Sequence, residues 1–443
     1  MAALPAALSA DAGVGPKAYQ LDVRIDPDVG QIGVSGWVSL SGAEPGKPLA
    51  FSLHGTFTVE RLAVADQPVP FVATPNELAP LAPCTQRIAL TVPPNASTNP
   101  LRIEMSYHGV LRHFPEWASQ PDQKVGLDDQ IGPGLVELAS YSNWYPSFGW
   151  GHRFDAVLDI SLPSGWTAVA LGQPDAPTAV GARSVSRWHA PAVEDIVVLA
   201  APNFHKLEVK SAGGVFEVYH TRLPESFVHQ EVAGVRESLA WLEQTLGQPV
   251  TKTGAFRYVY SPRRKGQNFA RTGLVVDSEG RVAQTLQEHP DADFFQLNAH
   301  EVAHFWWRIG RGQADWINEA SAEYFALLSL KTRSAARFNE AILKYRQEAA
   351  ELPPTAPSLA TVPANSTGQN YVIRYRKGAL LLHDLSRQVG EPTFLHLSRL
   401  FYERFREGGC TTEDFRQFWL SQPGIDAQSL NQWLDVDGPP PAR

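Results

Sequence analysis

Cysteine is scarce, with only Cys84 and Cys410 in 443 residues. They lie far apart and lack metal-ligand spacing to each other, so no cysteine-built metal module is expected. They could be one disulfide or two buried thiols, which leaves the compartment open. No run of eighteen or more apolar residues occurs, so there is no candidate membrane span. Basic residues form no stripe: the formal net charge is -8 with both signs mixed, and nucleic acid is not an expected partner. Internal repeats are absent as well. What remains is an ordinary globular composition, 43% apolar, 19% charged and 10% aromatic, in a chain long enough for at least two cores. The opening MAALPAALSADAG lacks a basic start and a full apolar segment, yet its Ala-Leu-Ser-Ala resembles a signal-peptidase site. Residues 1–17 are read as a disordered N-terminus or a signal remnant, in a soluble protein that is either cytoplasmic or exported.

Helical signals are scarce in the first half, where the apolar period is two. Tyr19, Leu21, Val23 and Ile25 alternate with polar residues, as do Ile88, Leu90 and Val92, then Leu101, Ile103, Met105 and Tyr107, then Leu158, Ile160 and Leu162. Gly, Pro, Asn and Asp clusters between these runs supply turns, and residues 18–207 read as an antiparallel β domain. Two more strand-like runs, Phe216 to His220 and Phe256 to Tyr260, precede a change of apolar spacing to three or four. Helices are predicted over 294–308, 315–331, 337–350, 378–389, 395–406 and 412–421. Gly390 serves as a stop, and Thr411 to Asp414 as a capping-box start. Pro353 to Pro363 must be loop. The expected fold class is therefore α+β and multidomain. A second, mainly helical domain spans 208–436, and 437–443 form a tail.

The strongest chemical signal is His300-Glu301-Val302-Ala303-His304, in an amphipathic run with Phe294, Phe295, Leu297, Val302 and Phe305. On a helix, positions i and i+4 share a face, so both imidazoles stand side by side as two nitrogen ligands of one zinc ion, with Glu301 close to the remaining water. A third ligand is required. The next helix offers Glu319 and Glu323, four residues apart and flanking a core stripe of Ile317, Ala320, Tyr324 and Leu328; Asp315 is a candidate cap. Glu319 is assigned to the metal and Glu323 to the free N–H of a ligand histidine, with Glu323 kept as the rival ligand.

HEVAH followed after fourteen residues by the glutamate of WINEA resembles the gluzincin metallopeptidases, and WINEASAEYFA resembles the aminopeptidase N and leukotriene hydrolase family. The interval is shorter than that family's usual one, and it is Glu323 that falls at the usual distance. Tyr375-Arg376-Lys377-Gly378 is similar to the family's tyrosine, any residue, lysine, glycine element, whose tyrosine donates to the tetrahedral oxyanion. Glu137-Leu138-Ala139-Ser140-Tyr141-Ser142-Asn143-Trp144-Tyr145-Pro146 is similar to the segment whose acidic residue contacts a substrate amine. Residues 268–276 resemble the family's methionine-glutamate-asparagine strand, with Ala270 in the glutamate's place and Arg271 beside it. With few residues after the tyrosine element, no counterpart of typical relatives' large C-terminal helical domain is expected in this sequence.

What the resemblance implies is a thermolysin-like catalytic domain behind a β-sandwich or saddle domain, one Zn2+ and peptide or protein N-termini as substrate. Glu301 would be the general base on a zinc-bound water, with Glu137, Ala270 and Arg271 at the substrate. A zinc endopeptidase, an epoxide hydrolase and a non-catalytic peptide-binding protein are the competing expectations.

Overall fold

A computed structural model describes residues 14–75, 85–96, 100–111, 130–149, 151–211, 214–249, 255–264, 266, 268–366 and 368–441. The chain divides into two compact units. The first comprises Met1–Arg222, Thr253–Gln267 and Arg271–Val282, and the second Leu223–Lys252, Asn268–Ala270 and Ala283–Arg443. Cys84 lies outside the described residues, and Cys410 is a buried free thiol.

The first unit is built of β-structure, as period-two patterning dictates. Its largest sheet runs in spatial order Gln173–Pro174, Arg183–Val193, Phe154–Pro163, Gly15–Asp26, Gln31–Ser41, Leu101–Val110, Thr58–Val64, Gln67–Pro68. Tyr19, Leu21, Val23 and Ile25 point into its core, as do Leu101, Ile103, Met105 and Tyr107. Within 18–207 one pairing departs from the antiparallel expectation: Gly15–Asp26 runs parallel to Phe154–Pro163. Those strands are far apart in sequence, and only a long crossover can bring such a pair side by side in the same direction. Beyond that span, Ala255–Ser261 pairs parallel with both Gly214–His220 and Leu274–Ser278. A second sheet holds Pro48–His54, Thr85–Thr91 and Phe71–Pro75. The segment after Leu138 is tied into this unit by buried hydrogen bonds: Tyr19 Oη donates to Pro146 O, Tyr107 Oη to Trp144 O and Trp144 Nε1 to Ile196 O. The strands His205–Ser211, Gly214–His220, Ala255–Ser261 and Leu274–Ser278 lie side by side in that order. The single strand expected over 268–276 is two, Phe269–Arg271 and Leu274–Ser278, because Gly273 turns the chain at φ 71°.

The second unit is helical. Its first helix, α1 (Glu225–Leu246), was not expected, although Val228, Val232, Val235, Ser238, Leu242 and Leu246 mark a buried stripe at helical spacing. Next come α2 (Glu279–Glu288), also unexpected, which starts in the first unit, and then α3 (Phe295–Ala303), α4 (Trp316–Arg333) and α5 (Ala335–Ala350). A single turn, α6 (Gln369–Tyr371), leads into a π-helical turn at Val372–Lys377. Then α7 (Gly378–Val389), α8 (Glu391–Phe405), α9 (Thr412–Leu420) and an unexpected α10 (Ala427–Asp435) complete it.

Gly390 ends α7 at φ 81°, and the Thr411–Asp414 capping box opens α9. Helix α3 stops at Ala303 and not at 308. Its last amides tighten to three-residue bonds, Phe305 N to Val302 O and Trp306 N to Ala303 O, as the rings of Trp306 and Trp307 turn into the core. Asp315 does not cap α4 with its side chain; its backbone is already helical, and its carboxylate accepts from Asn318 and Arg374. The segment after α10 is pinned, with Gly438 N donating to Ala356 O and the Lys377 ammonium to the carbonyls of Val436 and Gly438.

Candidate metal centre

His300 on the last turn of α3 and His304 at its C-cap stand together, their ring centroids 4.8 Å apart and perpendicular. Helix α1 holds α3 in place: Asn298 donates to Glu231, and Gly234 leaves room for the Phe295 ring. The connector to α4 is kept short and rigid by Asn318, whose side chain accepts from Gly310 N at 2.7 Å and donates to Gly310 O at 3.0 Å. The backbone of Cys410 straps the same loop, its N donating to Ile309 O and its O accepting from Arg311 N. This clip sets the register of the next residue, Glu319.

The result is a convergence of three donor atoms. Oε2 of Glu319 lies 3.5 Å from His300 Nε2 and 3.4 Å from His304 Nε2, and ligand atoms of all three residues lie within 4.8 Å of one another. Among the described residues these are the only such His, Cys, Asp or Glu group. Oε2 of Glu319 is buried and takes part in no hydrogen bond. A tetrahedral zinc with ligands at roughly 2.0–2.1 Å separates them by about 3.4 Å along each edge. The residues fit the ion: the spacing is long for hydrogen bonds and correct for ligands around a common centre.

Both imidazoles have defined partners on their other nitrogens. His300 Nδ1 meets Glu323 Oε2 at 2.7 Å, and His304 Nδ1 lies 3.2 Å from Trp307 O. A carboxylate and a carbonyl beside those nitrogens favour a proton there, which makes Nε2 the atom each imidazole would offer to a metal. Glu323 is therefore engaged beside the donor set, and Glu319 is in it.

The electrostatics of the cluster favour a cation. Burial alone would lower the pKa of His300, but the carboxylates of Glu319 and Glu323, with Glu301 behind them, raise it to about 10. Burial would raise Glu323, yet His300 and Arg376 outweigh it and hold the carboxyl at about 2. Glu319 is likewise held well below the usual carboxylate range, against burial, by His304, His300 and Arg374. A field that draws a proton onto His300 also suits a divalent ion between the same groups.

Glu301 is buried next to His300 on α3. Tyr375 stacks on the His300 ring with centroids 5.5 Å apart and an interplanar angle of 12°. Burial, with Glu319 nearby, pushes its phenol well above the ordinary value, so it stays protonated and able to donate. Gly378 makes this approach possible, because a Cβ there would lie 2.6 Å from Ala320 Cβ.

The remaining expected positions are placed as follows. Glu137 is fully buried in the first unit, where its carboxylate accepts from Ser261 and Arg263. Arg271, in the same unit, donates from Nε to Asp195 at 2.5 Å, and its guanidinium lies over the Tyr141 ring. Ala270 is buried in the second unit. Residues that sequence reasoning missed are Asn318, Tyr345, Arg374 and Arg376. Arg376 stood inside the tyrosine element, but nothing in one dimension links it to Glu323.

No protein-family model matches the sequence, and no curated protein matches it significantly. Solved structures do. An M1 zinc metallopeptidase from Deinococcus radiodurans aligns with TM-score 0.76 at 17% identity over 96% of this chain and 95% of that one. A mutant of the Deinococcus radiodurans peptidase bound to a Tyr-Ser-Ala substrate aligns at 0.74 and 17%, over 97% and 96%. A two-domain M1 zinc metallopeptidase mutant bound to L-arginine aligns at 0.76 and 17%, also over 97% and 96%. Along nearly all of its length, then, the chain has the fold of the two-domain M1 zinc metallopeptidases.

Proposed function

We propose that this chain is a zinc-dependent metallopeptidase that hydrolyses peptide bonds, acting as an aminopeptidase at peptide N-termini. The observation that carries the reading is the convergence of Nε2 of His300, Nε2 of His304 and Oε2 of Glu319 at ligand-edge spacing. These three residues would hold one Zn2+. When bound, the ion supplies Lewis acidity toward a carbonyl and makes water more acidic near neutral pH.

The rest of the chemistry falls to the chain's own side chains. The Glu301 carboxylate accepts the proton of the attacking water and returns it to the leaving amine. Tyr375, kept as a phenol by its surroundings, donates to the negative charge that develops on the tetrahedral oxygen. Glu323 and the Trp307 carbonyl hold the two imidazoles in one tautomer throughout. A peptide substrate is supported by the fold neighbours, one bound to Tyr-Ser-Ala and another to L-arginine.

Endopeptidase action is the second reading, favoured by two positions expected to anchor a substrate amine. One is Ala270, which has no carboxylate, and the other is Glu137, whose carboxylate is spent on Ser261 and Arg263. A mixture of free-amine peptides and their N-acetylated twins, digested with and without a chelator and read by mass spectrometry, tests both. Aminopeptidase action releases N-terminal residues from the free-amine set alone, and the chelator abolishes it. Internal cleavage of the acetylated set would establish the second reading, and cleavage indifferent to the chelator would overturn both.

A further inference from the structure

The π-helical turn that presents Tyr375 has an arginine on each side of it, and both guanidiniums reach carboxylates of α4. Arg376 Nη1 donates to Glu323 Oε1 at 2.5 Å, while its Nε donates to Glu348 Oε2 at 2.8 Å and its Nη2 to Tyr371 Oη at 2.6 Å. Its guanidinium also lies over the rings of Tyr345 and Tyr371, 4.2 and 5.0 Å from their centroids. Tyr345 Oη donates to the same Oε1 of Glu323. On the other side, the buried Arg374 pairs with Asp315, donates to Ser366 Oγ at 2.7 Å and comes within 3.5 Å of Glu319 Oε1. Each carboxylate is thus divided: Oε1 faces a guanidinium, and Oε2 faces an imidazole.

We propose that Arg374 and Arg376 are positioning residues of the metal centre, each fixing the orientation of one α4 carboxylate. Arg374 turns Oε2 of Glu319 toward the two imidazoles, and Arg376, with Tyr345, holds the Glu323 carboxylate against His300 Nδ1. The inference rests on the zinc reading above. Two effects oppose each other here. A fixed positive charge near a divalent cation repels it, so charge alone predicts tighter zinc binding once an arginine is removed. Orientation predicts the reverse, because losing a partner behind a ligand typically costs 10–100-fold in metal affinity. Orientation dominates because both guanidiniums are already neutralised locally, Arg374 by Asp315 and Arg376 by Glu348 as well as Glu323.

The test is zinc affinity of the full chain, stripped of metal and titrated in competition with a chromophoric chelator. Arg374→Met and Arg376→Met should each bind zinc about tenfold or more weakly. Arg376→Lys should recover part of the loss, since an ammonium supplies a charge and a donor but not the planar fork. Folded methionine variants with unchanged or tighter affinity would overturn the proposal. If they fail to fold, Glu348→Gln loosens Arg376 from a more exposed position and should weaken zinc by a few-fold; unchanged affinity there would overturn the assignment of Arg376. A parent protein that holds no zinc would overturn the metal reading itself, an outcome distinct from a zinc-replete parent whose variants lose nothing.

Discussion

His300 and Glu323 meet at 2.7 Å through the imidazole nitrogen that faces away from Glu319. The contact separates two carboxylates that the sequence leaves as rivals, because a residue bound to the back of a ligand histidine is not also in front of it. Their losses should differ in kind. Glu319→Ala should abolish stoichiometric zinc, whereas Glu323→Ala should keep a site weakened by about 10–100-fold. Metal content after dialysis, followed by chelator competition, distinguishes them; equal losses would reopen the ligand assignment.

Glu301 and Tyr375 should separate binding from turnover. Glu301→Gln retains zinc and lowers kcat by roughly 10²–10⁴, the usual worth of a positioned general base. Under the proposed role, Tyr375→Phe should lower kcat and change KM little. Steady-state kinetics on one free-amine peptide, with zinc content measured on the same samples, checks both. A Tyr375→Phe enzyme at full turnover would rule out the phenol as oxyanion donor.

Stability should fall with acid in both units for a shared reason. Burial lowers His54 in the first unit and His383 in the second to about 4, from an ordinary 6.5. In the unfolded chain these imidazoles take up protons before the folded ones do. Their contribution is therefore complete above pH 6.5 and is lost as pH drops toward 4. Urea midpoints at pH 7 and pH 4.5 should draw closer together in His54→Gln and His383→Gln than in the parent; parallel shifts would contradict this.

Legibility followed how local the determining interactions are. The β unit and helices α4, α5, α7 and α9 are written in period and punctuation, down to the Thr411–Asp414 box. The histidine pair is legible for the same reason, being one helical turn. The true end of α3 was not, because it depends on where Trp306 and Trp307 find a core. Helix α1 had a readable stripe that the neighbouring strand-like runs obscured. Asp315 reads as a cap by residue type, but Arg374, fifty-nine positions away, takes its carboxylate. The arginines beside Tyr375 look like solvated charges until the fold brings α4 against them.

Lys377 follows Tyr375 by two residues, and its buried ammonium, held down at about 8 by desolvation, donates to main-chain carbonyls 59 and 61 positions downstream. An ammonium out of water without acceptors is costly, so the tyrosine-bearing turn is not finished until the segment near Val436 has been synthesised and has docked. Tyr375 is therefore among the last parts to be set in place. A nascent, half-folded chain carries an incomplete centre, and hydrolytic competence is acquired only after the structure has closed around it.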